Sequence, residues 1–317
     1  MATIQRVLPR QQNKEKRSDY RAAIKKTLRK PQFWFGLMVL GPTLIWYFLF
    51  LLLPMIRSAW MSVVAYQIMD ASASQFVGLG NFQKLIENPL FAIAMRNTLT
   101  WAGMTFLLML PSSLFVSTAL SRVRVGRNLY QSIIFVPVVM SLVAIALLFR
   151  MLMDPQTGQF NQILDALGLP ESKWISDESS ALPVMVAIQV WKSLGTYVVI
   201  LTAGLLNIPH ELFEAATVDG ANDRQMFWRM TLPLLGHTLT MITVMMFIDG
   251  VQAFTLPSVL TAGGPGTATF MGNMLIYQEA FSNLRFGTAT AGAILQLILI
   301  LFITRVLMKA ITPKWSY

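Results

Sequence analysis

Six apolar runs constrain the fold of this chain more than any other feature of its sequence. They cover roughly residues 33–56, 91–120, 130–153, 182–206, 234–257 and 289–311. A helix needs about 20 mainly apolar residues to cross the hydrocarbon core of a bilayer, and each run reaches that length. Because backbone polar groups in lipid must be satisfied within the segment itself, the runs predict helices. The predicted fold class is therefore an all-α membrane protein with six transmembrane helices.

The composition agrees with a chain that lies mostly in lipid. Charged residues make up 13% of the sequence and apolar residues 55%, whereas a soluble domain carries about 25% charged residues. The sequence contains no cysteine, which excludes a disulfide framework and a thiolate site. The two histidines, His210 and His237, have no partner at metal-ligand spacing, so we predict no metal site.

The positive charge is distributed unevenly between the two sides of the predicted membrane domain. Residues 1–30 and the loops that share their side carry 18 of the 25 lysines and arginines. The positive-inside rule therefore places both termini and the 207–233 loop in the cytoplasm. A basic segment before an apolar span is explained by anionic lipid at the cytoplasmic surface, so we predict no nucleic-acid partner.

The sequence divides into a membrane domain and two tails. Residues 1–32 form a basic cytoplasmic tail that is too long for the charged region of a signal peptide. Within this tail, residues 20–30 form either an interfacial helix with one apolar face or a flexible segment. Residues 33–311 form the transmembrane domain, and residues 312–317 a short cytoplasmic C-terminal tail.

The 207–233 loop has the pattern of two short helices joined by a turn. Pro209 suits the first position of a helix, and Gly220 suits the left-handed residue that ends one. Asn222 and Gln225 have the spacing of a capping box at the start of the second helix. From these residues alone, two interpretations remain open: an interfacial hairpin that joins two spans, and a docking element for a partner.

The loop also resembles a known family motif. Glu214-Ala-Ala-x-x-x-Gly220 followed by Leu232-Pro233 is similar to the EAA motif of ABC-importer permease subunits, and the longer stretch 203–221 resembles the form found in carbohydrate permeases. Residues 76–82, 154–161 and 167–169 resemble further segments of these permeases. Residues 261–265 resemble the turn after span five in the maltose-F-like or glycerol-phosphate-A-like subunit. The resemblance covers residues 33–311. The best-known maltose-type subunit has eight spans and a large outer domain, so no role of that domain is carried over to this chain.

The resemblance implies a type I ABC-importer permease fold in the bacterial cytoplasmic (inner) membrane. It implies a subunit of an ATP-driven, binding-protein-dependent importer for a sugar or oligosaccharide, including an acidic one. The implied partners are a second, homologous permease subunit that completes a heterodimer, two cytoplasmic ATPase subunits and an extracytoplasmic sugar-binding protein. The sequence has no G-x-x-x-x-G-K-[ST] phosphate loop. We therefore expect no cofactor in this chain and no enzymatic activity, with ATP and Mg bound by the ATPase subunits.

The same resemblance assigns the 207–233 loop to coupling with an ATPase subunit. The predicted ATPase-coupling residues are Glu211, Glu214, Ala215, Ala216, Asp219, Gly220, Leu232 and Pro233.

Polar and aromatic residues of the later spans are the candidates for substrate binding. Polar groups inside a membrane are costly and are expected to face a cavity or a partner. The predicted substrate-binding residues are Gln189, Trp191, Lys192, Tyr197, Asp249, Gln252, Phe254, Asn273 and Tyr277. Contacts between helices are the alternative role for such residues. Lys192 either pairs with Asp249 or contacts an acidic sugar. We expect the side chains of Arg96 and Asn97 to reach the lipid–water interface on the extracytoplasmic side of the membrane.

Two other classes of function remain as alternatives. An ion-gradient-driven secondary transporter would be expected to bury more titratable residues in its spans than Lys192 and Asp249, and it would need no docking loop. An intramembrane enzyme is disfavoured because neither H-E-x-x-H nor G-x-S-x-G occurs in the sequence.

Overall fold

A computed structural model describes residues 30–67, 74–123 and 125–311. The predicted interfacial helix at residues 20–30 falls almost entirely outside the described residues, as does the 312–317 tail. The chain divides into one compact unit that ends at Trp60 and a second that begins at Met61.

The first unit contains most of one long apolar helix. Helix α1, Pro31–Ser62, starts with a proline in its first turn and includes a π-helical turn at Phe48–Leu52. No described residue of this unit is buried within it, and the side chains of Phe35 and Met38 are 70% and 78% exposed. A helix that is apolar on all sides must be covered by lipid or by other protein.

In the described residues of the second unit, the regular secondary structure is helical apart from one small hairpin. Its elements are β1 Val64–Ala65, β2 Gln75–Phe76, α2 Gly80–Ile86, α3 Pro89–Ser121, α4 Arg127–Val139, α5 Leu142–Leu152, α6 Gln159–Ala166, α7 Glu178–Leu206, α8 His210–Val218, α9 Asp223–Met226, α10 Leu232–Leu234, α11 Gly236–Val251, α12 Thr255–Leu260, α13 Gly272–Tyr277 and α14 Phe286–Ile311. The two strands pair in antiparallel fashion, which the all-α prediction did not anticipate.

The six predicted spans correspond to five long helices and one bent pair. Within the described residues, five helices are long and apolar enough to cross a membrane, and the number is six if the bent pair α4–α5 is counted as one span. The span predicted over residues 130–153 consists of two helices rather than one, because α4 and α5 meet at 87°. Met140 and Ser141 have extended backbones with ψ of 145° and 126°, and these residues end one helix and begin the next.

Helix α3 packs against both α7 and α11, and α4 packs against α7. One apolar core surrounds Trp101 and Met185, and another surrounds Met109 and Leu201. Gly195 lies where α4 crosses α7: a Cβ atom there would lie 2.6 Å from the Ile134 carbonyl oxygen. The two backbones therefore approach so closely that only glycine fits at this position.

Helix α7 has a well-defined beginning. Asp177 caps it by accepting hydrogen bonds from the Ser179 hydroxyl at 2.5 Å and the Ser179 backbone N–H at 3.0 Å. These hydrogen bonds lower the pKa of the Asp177 carboxyl, because they stabilise its charged form.

Candidate functional site

The first helix of the 207–233 loop ends as its sequence predicts. Helix α8 is followed by Gly220 with φ of +79°. The Gly220 N–H donates to the Thr217 carbonyl at 3.1 Å, and the Ala221 N–H donates to the Ala216 carbonyl at 2.9 Å. This pair of bonds is the Schellman motif, which satisfies carbonyls that the end of a helix leaves free.

The second helix of the loop begins with the predicted capping box. The Asn222 side chain accepts from the Gln225 N–H, and the Gln225 side chain accepts from the Asn222 N–H, both at 2.9 Å. The chain continues through a π-helical turn at Phe227–Thr231 into α10. Pro209, expected at the first helical position, instead precedes α8, because its ψ of 133° is not helical.

The exposed surface of this loop presents carboxylates and small residues. Glu211, Glu214, Ala215, Asp219, Gly220 and Pro233 are exposed, whereas Ala216 and Leu232 are half-buried. Glu214 lies 3.1 Å from the ring of His210, and Asp223 forms a 2.9 Å ion pair with Arg122 next to the end of α3. Phe213 packs into the apolar core that surrounds Leu201. The loop is thus a two-helix element fixed to the helices behind it, with an acidic face available to a partner.

A cleft of about 170 Å³ lies among α3, α7, α11 and α12; we name it the Asp249 cleft. Five of the nine predicted substrate residues line it: Gln189, Tyr197, Asp249, Gln252 and Phe254. Trp101, Thr105 and Ser193 also line it. The later spans therefore contribute to one common cavity, and α3 supplies a further wall.

Hydrogen-bonding groups of several kinds face this cleft. The Tyr197 hydroxyl donates to Asp249 Oδ2 at 2.9 Å, and Gln189 Nε2 donates to Ser193 Oγ at 3.0 Å. Thr105 Oγ1 is buried and has no hydrogen-bond partner among the described residues. A buried hydroxyl without a partner is costly, so a ligand that supplies one would be stabilised there.

Three other predicted residues lie outside the cleft lining. Asn273 Nδ2 donates to the Gln252 carbonyl at 2.7 Å, and the Tyr277 ring packs 5.3 Å from that of Phe254. These two residues hold the segment after α11 in place. Trp191, 44% exposed, packs edge-on against Phe149 at 5.6 Å.

Lys192 has a partner that neither sequence interpretation anticipated. Its ammonium donates to the Val138 carbonyl at 3.2 Å, in the last turn of α4 before the bend. Asp249 is hydrogen-bonded to Tyr197 instead. Pairing of Lys192 with Asp249, one of the two alternatives from the sequence, is therefore absent from the described contacts. The last carbonyls of a helix carry partial negative charge and lack helical partners, which explains why a cation is placed there.

Sequence reasoning missed the contribution of α3. Thr105 and Trp101 lie in an apolar run, where a threonine or tryptophan is unremarkable, so nothing in the sequence marked them. Asn97 was expected at the membrane interface but is only 6% exposed. It donates to the carbonyls of Thr267 and Phe270 at 2.7 and 3.1 Å, and these partners lie more than 160 residues away in sequence.

Comparison with known proteins supports one family. A model of the family described as binding-protein-dependent transport system inner membrane component matches residues 109–317. The chain is 30% identical over 276 residues to the probable ABC transporter permease protein YurN of Bacillus subtilis, covering 86% of this chain and 94% of that protein. It is also 30% identical over 272 residues to the arabinooligosaccharides transport system permease protein AraP of the same organism, covering 85% and 86% of the two chains.

A solved structure has a similar fold. It is the crystal structure of a bacterial ABC transporter involved in the import of the acidic polysaccharide alginate. One of its chains superposes with a TM-score of 0.78 at 26% identity, covering 88% of this chain and 95% of that chain.

Proposed function

This chain belongs to the family of binding-protein-dependent transport system inner membrane components, and from that premise we propose that it forms the pathway for a neutral sugar or oligosaccharide. It is a permease subunit of an ABC importer, not an enzyme. The Asp249 cleft is the observation that carries the substrate proposal. A carboxylate, an amide, hydroxyls and an aromatic ring converge on one small cavity, and these groups suit a ligand with hydroxyl groups and apolar faces.

The charge of the cleft favours a neutral substrate. Among the described residues that line it, Asp249 alone carries a formal charge. A negative group in a cavity of low dielectric constant repels an anionic ligand. Lys192, the residue that could have attracted an acidic sugar, is not among the lining residues and donates to a backbone carbonyl. The relative AraP is named for arabinooligosaccharides and the superposed structure for the acidic polysaccharide alginate, so the proposal of a neutral substrate rests on the charge of the cleft.

We propose that the 207–233 loop couples this subunit to a cytoplasmic ATPase. Its acidic face suits a basic surface, and its capped helices suit the transmission of a rigid displacement to α7 and α11. The complete importer would contain a second, homologous permease that closes the open side of the Asp249 cleft, two ATPase subunits that bind ATP and Mg, and an extracytoplasmic sugar-binding protein. Both termini would lie in the cytoplasm, as the charge distribution predicts.

Uptake by the reconstituted importer tests this proposal. Proteoliposomes that contain the complete assembly and the binding protein, with ATP on the side of the ATPase subunits, are supplied with radiolabelled arabinotriose, diacetylchitobiose or an alginate trisaccharide. We expect ATP-dependent uptake of a neutral sugar. Uptake that follows an imposed ion gradient without ATP would instead identify a secondary transporter.

Asp249→Asn tests the role of the cleft in the same assay. Loss of a charge-assisted hydrogen bond of about 1.5–3 kcal/mol should lower uptake by about 10- to 100-fold. Met245→Leu, at an exposed position on the same helix, is the matched control and should leave uptake unchanged. Equal uptake by both variants would contradict the assignment of the cleft.

A further inference from the structure

A second polar cavity lies at the end of the molecule opposite the 207–233 loop. It has a volume of about 730 Å³ and lies between the segment after β1, helix α2 and the stretch from Glu279 to α14. We name it the Glu279 cavity. Its volume falls within the range of roughly 300–1,000 Å³ that small-molecule sites occupy. The described residues that line it do not overlap with those of the Asp249 cleft.

The carboxylate of Glu279 is the unusual feature of this cavity. Its side chain is 3% exposed. Asn283 Nδ2 donates to Oε1 at 3.0 Å, but Oε2 has no hydrogen-bond partner among the described residues. The nearest cation, Arg285, lies 4.0 Å from Oε2 on a side chain that is 68% exposed. A buried carboxylate oxygen without a donor is costly, so the site favours a ligand that supplies one.

The walls around this carboxylate are fixed by buried contacts. Asn81 is 3% exposed, and its Nδ2 donates to the carbonyls of Ser62 and Val64 at 2.9 Å each. A Cβ atom on Gly287 would lie 2.6 Å from both Asn81 Nδ2 and the Val64 carbonyl oxygen. The base of the cavity is therefore closely packed, and binding there would require little reorganisation.

The remaining lining groups select for a neutral ligand. Lys84 and Arg285 balance Glu87 and Glu279, so neither an anion nor a cation gains from the cavity as a whole. Gln67 adds an amide donor and acceptor, whereas the Asn88 amide donates to Glu279 Oε1 at 3.5 Å and accepts from the Leu90 N–H at 3.0 Å. Tyr66 adds an aromatic ring, itself supported edge-on by Phe286 at 6.3 Å. Carboxylate, amide and aromatic groups together match the alternating hydroxyl groups and apolar faces of a sugar ring.

We propose that the Glu279 cavity is a second sugar subsite, in which a hydroxyl of the sugar donates to Glu279 Oε2. This proposal rests on the proposed function, because it makes the cavity an entry position for the transported sugar. The subsite lies on the side of the molecule that receives sugar before it reaches the Asp249 cleft.

Cysteine labelling of the assembled importer tests the subsite. Because the chain has no cysteine of its own, Gln67→Cys places one reporter thiol at the cavity. Gln75→Cys, exposed in the same hairpin but outside the cavity lining, is the matched control. The rate of maleimide attachment to this chain is measured by mass spectrometry without ATP, in separate samples with sugar alone and with sugar-free binding protein alone. The probe is the sugar that the uptake assay identifies from arabinotriose, diacetylchitobiose and the alginate trisaccharide.

We expect that sugar to slow labelling at residue 67 at least threefold and to leave labelling at residue 75 unchanged. Adding Glu279→Gln, which weakens the acceptor, should reduce the protection, and so should Tyr66→Leu, which removes the ring without touching the buried carboxylate. An imported sugar that gives no protection at residue 67 overturns the subsite and leaves the proposed function intact. Protection by sugar-free binding protein, without protection by sugar, also overturns it and identifies a protein-docking surface.

Failure of the proposed function gives a different result. If no sugar of the panel is imported, uptake is absent in the wild-type assembly before any variant is made. Labelling is then measured with each of the three sugars. Protection at residue 67 alone would support the subsite independently of transport, and its absence would overturn the subsite as well.

Discussion

At the scale of single residues, charged groups in the apolar part of the molecule are positioned by backbone and hydroxyl partners. Lys192 donates to the Val138 carbonyl, and Asp249 accepts from Tyr197. Neither residue needs the other as an ion-pair partner. Lys192 therefore stabilises the end of α4, whereas Asp249 faces the cleft.

Lys192→Gln should weaken the attachment of α4 without changing substrate preference. A cation at a helix C-terminus contributes about 0.3–1 kcal/mol, so the melting temperature of the purified assembly should fall slightly. Uptake of the neutral sugar should remain close to the wild-type rate, and Lys192→Arg should retain wild-type behaviour. A selective loss of acidic-sugar uptake would show instead that Lys192 contacts substrate.

Residue contacts were predictable from sequence only where both partners are close in the chain. The capping box of Asn222 and Gln225 and the left-handed Gly220 depend on residues three to five positions apart, and the sequence predicted both. Asn97 and Lys192 instead donate hydrogen bonds to backbone carbonyls that are distant in sequence. The separation is 54 residues for Lys192 and Val138 and 173 residues for Asn97 and Phe270. No pattern in the sequence encodes such a backbone partner, so these two roles could not be predicted.

At the scale of secondary structure elements, the bend between α4 and α5 distinguishes this chain from a simple bundle. Helix α4 packs on α7, whereas α5 packs on α12. The extended residues Met140 and Ser141 join them. Hydropathy predicted the span but not its bend, because both halves are apolar. Pro137 does not mark the bend either, because proline is tolerated within spanning helices.

The close crossing of α4 and α7 gives a test of this packing. Gly195→Ala would place a Cβ atom 2.6 Å from the Ile134 carbonyl oxygen and 2.9 Å from the Phe135 Cα atom. Overpacking of this kind costs about 1–3 kcal/mol, so the melting temperature of the purified assembly should fall. Gly103→Ala is the matched control, because nothing lies within 4 Å of its Cβ position. Alanine there should maintain or raise the melting temperature. Equal destabilisation by the two substitutions would contradict the observed crossing.

At the scale of the whole molecule, its two ends have different chemical character. The 207–233 loop presents acidic and small residues on capped helices, whereas the opposite end carries a polar cavity built around a buried carboxylate. The Asp249 cleft is lined by α3, α7 and α11 together with the segment that follows α11. This arrangement suits a pathway subunit driven from one end and supplied with substrate from the other. The sequence predicted the loop from its motif, but the Glu279 cavity arises from segments that only the fold brings together.

We propose that the 207–233 loop couples ATP hydrolysis by a separate ATPase subunit to movement of the membrane helices. The most direct measurement is ATP hydrolysis by the reconstituted importer, with and without sugar-loaded binding protein. Gly220→Pro cannot adopt the φ of +79° that ends α8, and Glu214→Lys reverses a charge on the exposed face. Gly168→Pro serves as the control. It also places a proline at a residue with positive φ (+67°), but in the loop after α6.

We expect stimulation by the loaded binding protein to fall at least tenfold in Gly220→Pro and Glu214→Lys and to be retained in Gly168→Pro. Full stimulation in the two loop variants, with uptake at the wild-type rate, would show that the loop does not couple ATP hydrolysis to transport.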